Sequence, residues 1–250
     1  MTTPDGTIRG GQSPDRRRAS EWGGTATEWQ IGMWSARVLF GIGVAYAITL
    51  AAGFSAMASF SEPLQDPYLA VAEALILLMA PTMVMLMVVV HICAPERIRI
   101  CSINALGWML LAAGFTVTVH LVELTVVRRI KPDAIHGYQY LFNFHWPSLL
   151  FGIDIVAWDI FFALAILFAA PVFRACGHRA VSNWLLFAGA LSLLGIVGPA
   201  FNRIGLREIG ICGYAVVFPI TCLGISRAFR RRLDRQGAPF PSADENVRRS

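Results

Sequence analysis

The stretch LILLMAPTMVMLMVVV, residues 75–90, decides the fold. Sixteen apolar or weakly polar residues follow one another without the polar–apolar alternation of a barrel strand. Only helices and closed barrels satisfy the backbone inside a bilayer, so this run is predicted to be a transmembrane helix. Working outward, five further segments reach the roughly 20 apolar residues needed to cross the hydrocarbon core. The predicted spans are Trp34–Ala58, Tyr68–Cys93, Ser102–Val127, Trp146–Phe173, Ala180–Phe201 and Glu208–Phe229. The fold class expected is an all-α polytopic bundle of six transmembrane helices. Residues 1–31 read as a polar tail, 32–229 as the membrane domain and 230–250 as an arginine-rich tail.

Composition agrees with that division. Of 250 residues, 56% are hydrophobic and 15% charged, against about a quarter charged in a soluble domain. The first 31 residues hold no apolar run, so the first span reads as a signal anchor and not as a cleaved signal peptide. With six spans, both tails and loops two and four share one side, and that side carries 16 of the 21 Lys and Arg residues. Basic residues mark the cytoplasmic side, so both termini are expected in the cytoplasm, and the membrane is expected to be a bacterial inner membrane. The cluster Arg227, Arg230, Arg231, Arg232 and Arg235 fits a rim beside anionic lipid headgroups better than a nucleic-acid surface. Partners expected are the lipid bilayer and a small amphiphilic ligand or cation, with no nucleic acid. Trp22, Trp29, Trp34 and Trp146 read as interfacial anchors.

Missing motifs narrow the chemistry. Lys131 is the only lysine and lies in a loop, so no Schiff base forms inside the membrane. There is no Gly-Lys pair for a phosphate loop, no GxSxG elbow and no HExxH. Gly41-Ile-Gly43 lacks the third glycine of a dinucleotide fingerprint and reads as helix packing. No residue pattern identifies a cofactor. His91, Cys93, Cys176 and His178 are a candidate tetrahedral zinc set, although their spacing is not that of a C-x2-C knuckle. Interfacial packing is the simpler reading of those four residues.

Ionisable side chains inside the spans carry the functional signal, since each costs roughly 2.5–3.5 kcal/mol to insert. With a rise of about 1.5 Å per residue, Glu73 lies about 8 Å from the outer end of its helix, Glu123 about 6 Å, His120 about 10 Å and Asp154 about 12 Å. These four form a predicted layer in the outer half, supplied by helices two, three and four. Asp159 lies deeper, at about 20 Å. Thr116, His120 and Glu123 fall on one helical face, and His120 is expected to pair with Glu123. Asp154 and Asp159 are about 140° apart on an α-helix, so both should not reach one narrow pocket. Arg203 and Arg207 are the basic residues nearest this layer. Pro81 frees the carbonyl of Leu77 on the Glu73 face. The loop bearing His136, Tyr138, Tyr140, Asn143 and His145 either covers the layer from outside or forms an aromatic interface.

The segments DPYLAVAEALILL (66–78), HICAPERIRI (91–100), VTVHLVELTVVRR (117–129) and IDIVAWDIFFALAILFAAPVF (153–173) resemble small bacterial six-helix integral membrane proteins of unassigned activity. The resemblance covers about a third of the chain and implies the topology alone. Three functions remain open: an acid-lined pocket for a proton, cation or amphiphile; a membrane enzyme using carboxylate or metal chemistry on a lipid-like substrate; and a non-catalytic scaffold.

Overall fold

The computed structural model describes residues 22–57 and 65–236. The tail up to residue 21, Glu62 of the first loop and the tail from residue 237 lie outside the described residues. Six helices are long and apolar enough to cross a membrane: α1 (Ala26–Ala56), α2 (Tyr68–Cys93), α3 (Glu96–Arg129), α4 (Leu149–Ala175), α5 (Arg179–Ala200) and α6 (Ile204–Gln236). No strand occurs among the described residues.

α1 begins eight residues before the predicted span, at Ala26 and inside the segment expected to be tail. A capping box starts it: Thr25 accepts from the Glu28 amide while Glu28 accepts from the Thr25 amide. α6 overruns its predicted end in the same way, continuing to Gln236 as an arginine-bearing extension beyond the apolar run. α2 passes through Pro81 without a break and keeps its predicted bounds.

The helices pack in chain order, and α6 returns against α1, so the six close into a ring. Small residues set the closest approaches, as expected where lipid offers no hydrophobic drive between helices. A β-carbon at Gly32 would come within 2.8 Å of the Phe229 ring and 2.9 Å of Val89, and one at Gly43 within 2.8 Å of Pro219. Gly32→Ala is therefore expected to destabilise the bundle by about 1–3 kcal/mol. Reversible unfolding in mixed micelles measures this. An unchanged stability would show that α1 and α6 do not pack so closely.

Two of the expected interfacial tryptophans are core residues. Trp22 and Trp29 are buried, and Trp29 Nε1 donates to the Gly23 carbonyl at 2.9 Å. Trp34 alone of the first three faces outward, with Arg37 over its ring at 4.9 Å. Trp146 is partly exposed and donates to Asn202 Oδ1 at 3.2 Å, across to the loop before α6.

Candidate functional site: a buried charge network

Every buried carboxyl, histidine or arginine side chain among the described residues belongs to one cluster: Glu73, His120, Glu123, Asp154, Asp159 and Arg207, each 0–8% exposed. The cluster sits at the end of the bundle away from the described chain ends. α2 supplies Glu73, α3 His120 and Glu123, α4 both aspartates and α6 Arg207. Tyr46 of α1 and Tyr214 of α6 lie within electrostatic range of Asp154 and Arg207.

The connections form a chain. His120 Nδ1 meets Glu73 Oε2 at 2.6 Å, and His120 Nε2 faces Asp154 Oδ1 at 3.4 Å. Arg207 donates from Nη2 to Asp154 Oδ2 at 2.8 Å and from Nε to Asp159 Oδ2 at 3.3 Å. The guanidinium also lies 4.6 Å from the Phe151 ring centre, a cation–π contact that covers its other face. Phe144, from the loop between α3 and α4, packs edge-on against Phe151 at 5.3 Å and lies 5.9 Å from His120. That loop thus lies over the cluster through Phe144, with Tyr138 within electrostatic range of Glu123. Asn143 accepts from Ser148 Oγ through its carbonyl, fixing the loop at the start of α4.

Two expectations are corrected here. His120 pairs with Glu73 across α2 and α3, and not with Glu123 on its own helix; Glu123 Oε2 is buried with no hydrogen-bond partner. A side chain three residues away shares a face but lies along it, whereas Glu73 stands opposite the imidazole. The second correction concerns Asp154 and Asp159, which do converge on one group. Residues Val156–Phe162 of α4 are π-helical. Bonding from i to i+5 brings residues five apart toward one face, in place of the 140° separation of an α-helix. A second π-helical segment, Cys212–Val217, lies in α6 and carries Tyr214.

Glycine makes room for the deepest acid. A β-carbon at Gly210 would lie 2.7 Å from Asp159 Oδ1 and 2.9 Å from the Gly195 Cα. One at Gly195 would lie 3.0 Å from the same oxygen. Sequence reading missed both, though Gly210 and Gly213 on one side of α6 are a small-residue signal.

The acids are closed over by packing. Two open grooves lie elsewhere, one of about 590 Å³ between α1 and α2 beside Trp34 and Pro81, the other of about 350 Å³ on α3 beside Trp108. No group of three or more His, Cys, Asp or Glu side chains among the described residues is placed to hold a metal ion. The candidate zinc set is not assembled: His91 Nδ1 is taken by Ser102 Oγ at 2.9 Å, and the His178 ring packs 5.3 Å from Trp22. Cys176 is buried, and that burial pushes its thiol up to about 12. Maleimide labelling at Cys176 should therefore be much slower in the folded protein than after unfolding in sodium dodecyl sulfate. Equal rates would contradict the packing around residue 176.

Fold and cluster together define a polytopic integral membrane protein with a buried, mainly acidic charge network. No protein-family model, curated protein or solved structure matches the chain.

Proposed function

We propose that the protein binds protons within the membrane, with Glu73–His120–Asp154–Arg207–Asp159 as the binding centre and Glu123 as its open end. One observation carries this reading: four buried carboxyl groups face two basic side chains. Even with His120 protonated, two negative charges are in surplus. Unpaired charge in a low-dielectric interior is neutralised, here by protons. Buried oxygens without hydrogen-bond partners on Glu123 and Asp159 are where such protons would sit.

His120 is suited to exchange them. An imidazolium donates to both flanking carboxylates, and the neutral ring donates to only one. A proton accepted at Nδ1 from Glu73 is balanced by one released at Nε2 to Asp154. The acid-lined pocket expected for a cation or amphiphile, and the enzyme reading, would need the Phe144 cover to open. A packing role is the second reading, favoured by the closure of the cluster.

Proton uptake separates the two. With the protein in lipid vesicles, Glu123→Gln and Asp159→Asn should each bind about one proton fewer per chain than wild type at neutral pH. Circular dichroism should show both variants folded. Uptake identical to wild type in both variants would leave only the packing role.

The excess of basic residues on the side of the tails supports a cytoplasmic location for both ends, in a bacterial inner membrane surrounded by lipid. Reporters fused after Arg235 should be active in the cytoplasm, and those inserted at Asp133 active outside. A cytoplasmically active Asp133 fusion would reverse the topology.

A further inference from the structure

Seven buried side-chain polar atoms among the described residues lack a hydrogen-bond partner. Four belong to the charge network. The other three are Trp22 Nε1, His178 Nε2 and Ser182 Oγ at the opposite end of the bundle, where the Trp22 and His178 rings are 5.3 Å apart and Ser182 follows His178 by one helical turn. Buried polar groups are nearly always satisfied, so three orphans at one corner call for a shared partner.

The corner is built from four chain segments. The Trp22 ring packs 5.3 Å from His178, 5.4 Å from Phe173 and 4.6 Å from Phe229. The Gly23 amide donates to the Cys93 carbonyl at 3.0 Å, tying this segment to the end of α2. His178 is the residue before α5, and its side chain makes no capping bond. Ser182 lies one turn further on, its amide donating to the His178 carbonyl at 3.1 Å. Trp22 is 4% exposed and Ser182 1% exposed, so neither is satisfied by bulk water.

All the available groups can donate, His178 as its Nε2–H tautomer. The indole N–H only donates, the serine hydroxyl donates, and the first turn of α5 presents amides that no helical carbonyl accepts. The surroundings are positive. Burial, and then Arg232, Arg231 and Arg235 of α6, push the His178 imidazole below the usual range. Arg97 donates to the Ala175 carbonyl at 3.3 Å, and Arg97 and Arg232 both act on Cys176. None of these four arginines forms an ion pair with a described carboxylate, and Asp234 points to the exterior.

We propose that this corner is an oxyanion site for a phosphate group, held by Trp22 Nε1, His178 Nε2, Ser182 Oγ and the first amides of α5, with the arginines as its charged rim. A helix N-terminus with converging donors is suited to such a group. The phosphate comes either from solution or from the headgroup of an anionic lipid. Occupancy would pin the Trp22 segment across the ends of α2, α4 and α6. The site shares no residue with the proton-binding centre.

The test uses the full-length protein purified in a neutral detergent. Its thermal unfolding midpoint is followed against inorganic phosphate, with chloride at matched ionic strength, and separately against phosphatidic acid, with phosphatidylcholine as control. Wild type should be stabilised by phosphate and not by chloride if the ligand is soluble, or by phosphatidic acid alone if it is a headgroup. The double variant Trp22→Phe/Ser182→Ala keeps the packing and removes two donors. It should bind the effective ligand about tenfold or more weaker. Ser182→Ala alone serves as a second, milder variant and should show a smaller loss. If neither phosphate nor phosphatidic acid shifts the wild-type midpoint, or the double variant responds as wild type does, the corner holds no phosphate group.

Discussion

Arg207→Ala is expected to be the most damaging single substitution, lowering stability by about 3–5 kcal/mol. Among the described residues Arg207 is the sole buried guanidinium, and it binds Asp154 and Asp159 together. Removing it leaves two carboxylates uncompensated beside Glu73, in an interior that screens little. The damage should come from the stranded acids and not from lost packing. The triple variant Arg207→Ala/Asp154→Asn/Asp159→Asn should therefore recover much of the loss. Unfolding midpoints in mixed micelles check both values. A triple variant as unstable as the single one would place the role of Arg207 in packing.

Gly210→Leu is expected to cost about 1–3 kcal/mol, and more if the backbones of α5 and α6 cannot part. The new β-carbon meets the Asp159 carboxylate at 2.7 Å and the Gly195 backbone at 2.9 Å, and the latter has no rotamer through which to yield. The same substitution would push Asp159 away from Arg207. Gly205→Leu is a control, since a β-carbon there meets nothing within 4 Å. Equal destabilisation of the two variants would refute a specific close approach at residue 210.

The spans were legible because a bilayer imposes length and polarity on each helix separately. Tyr68–Cys93 could be read to the residue. The extra turns of α1 were also legible, in the pattern Thr25-x-x-Glu28, but hydropathy hid them behind polar residues. Depth arithmetic placed Glu73, His120, Glu123 and Asp154 near one another, and Arg207 was among the basic residues close enough to join them. Pairing was not legible. Which carboxylate meets His120 depends on how α2 and α3 rotate against each other, and no single helix records that. The convergence of Asp154 and Asp159 was hidden for another reason. A helical wheel assumes 3.6 residues per turn, and the π-helical segment of α4 breaks that assumption at the aspartate it carries. The burial of Trp22 was equally hidden, since a tryptophan near a membrane surface can point to lipid or into the bundle.

Infrared spectroscopy of the protein in lipid vesicles tests most directly whether the surplus carboxyl groups hold protons. Wild type at neutral pH should show carboxylic acid C=O absorption from buried groups. Glu123→Gln and Asp159→Asn should each reduce it, while both variants keep the helical amide bands. Wild-type spectra with carboxylate absorption only, and no protonated carboxyl from buried groups, would contradict the proton-binding account.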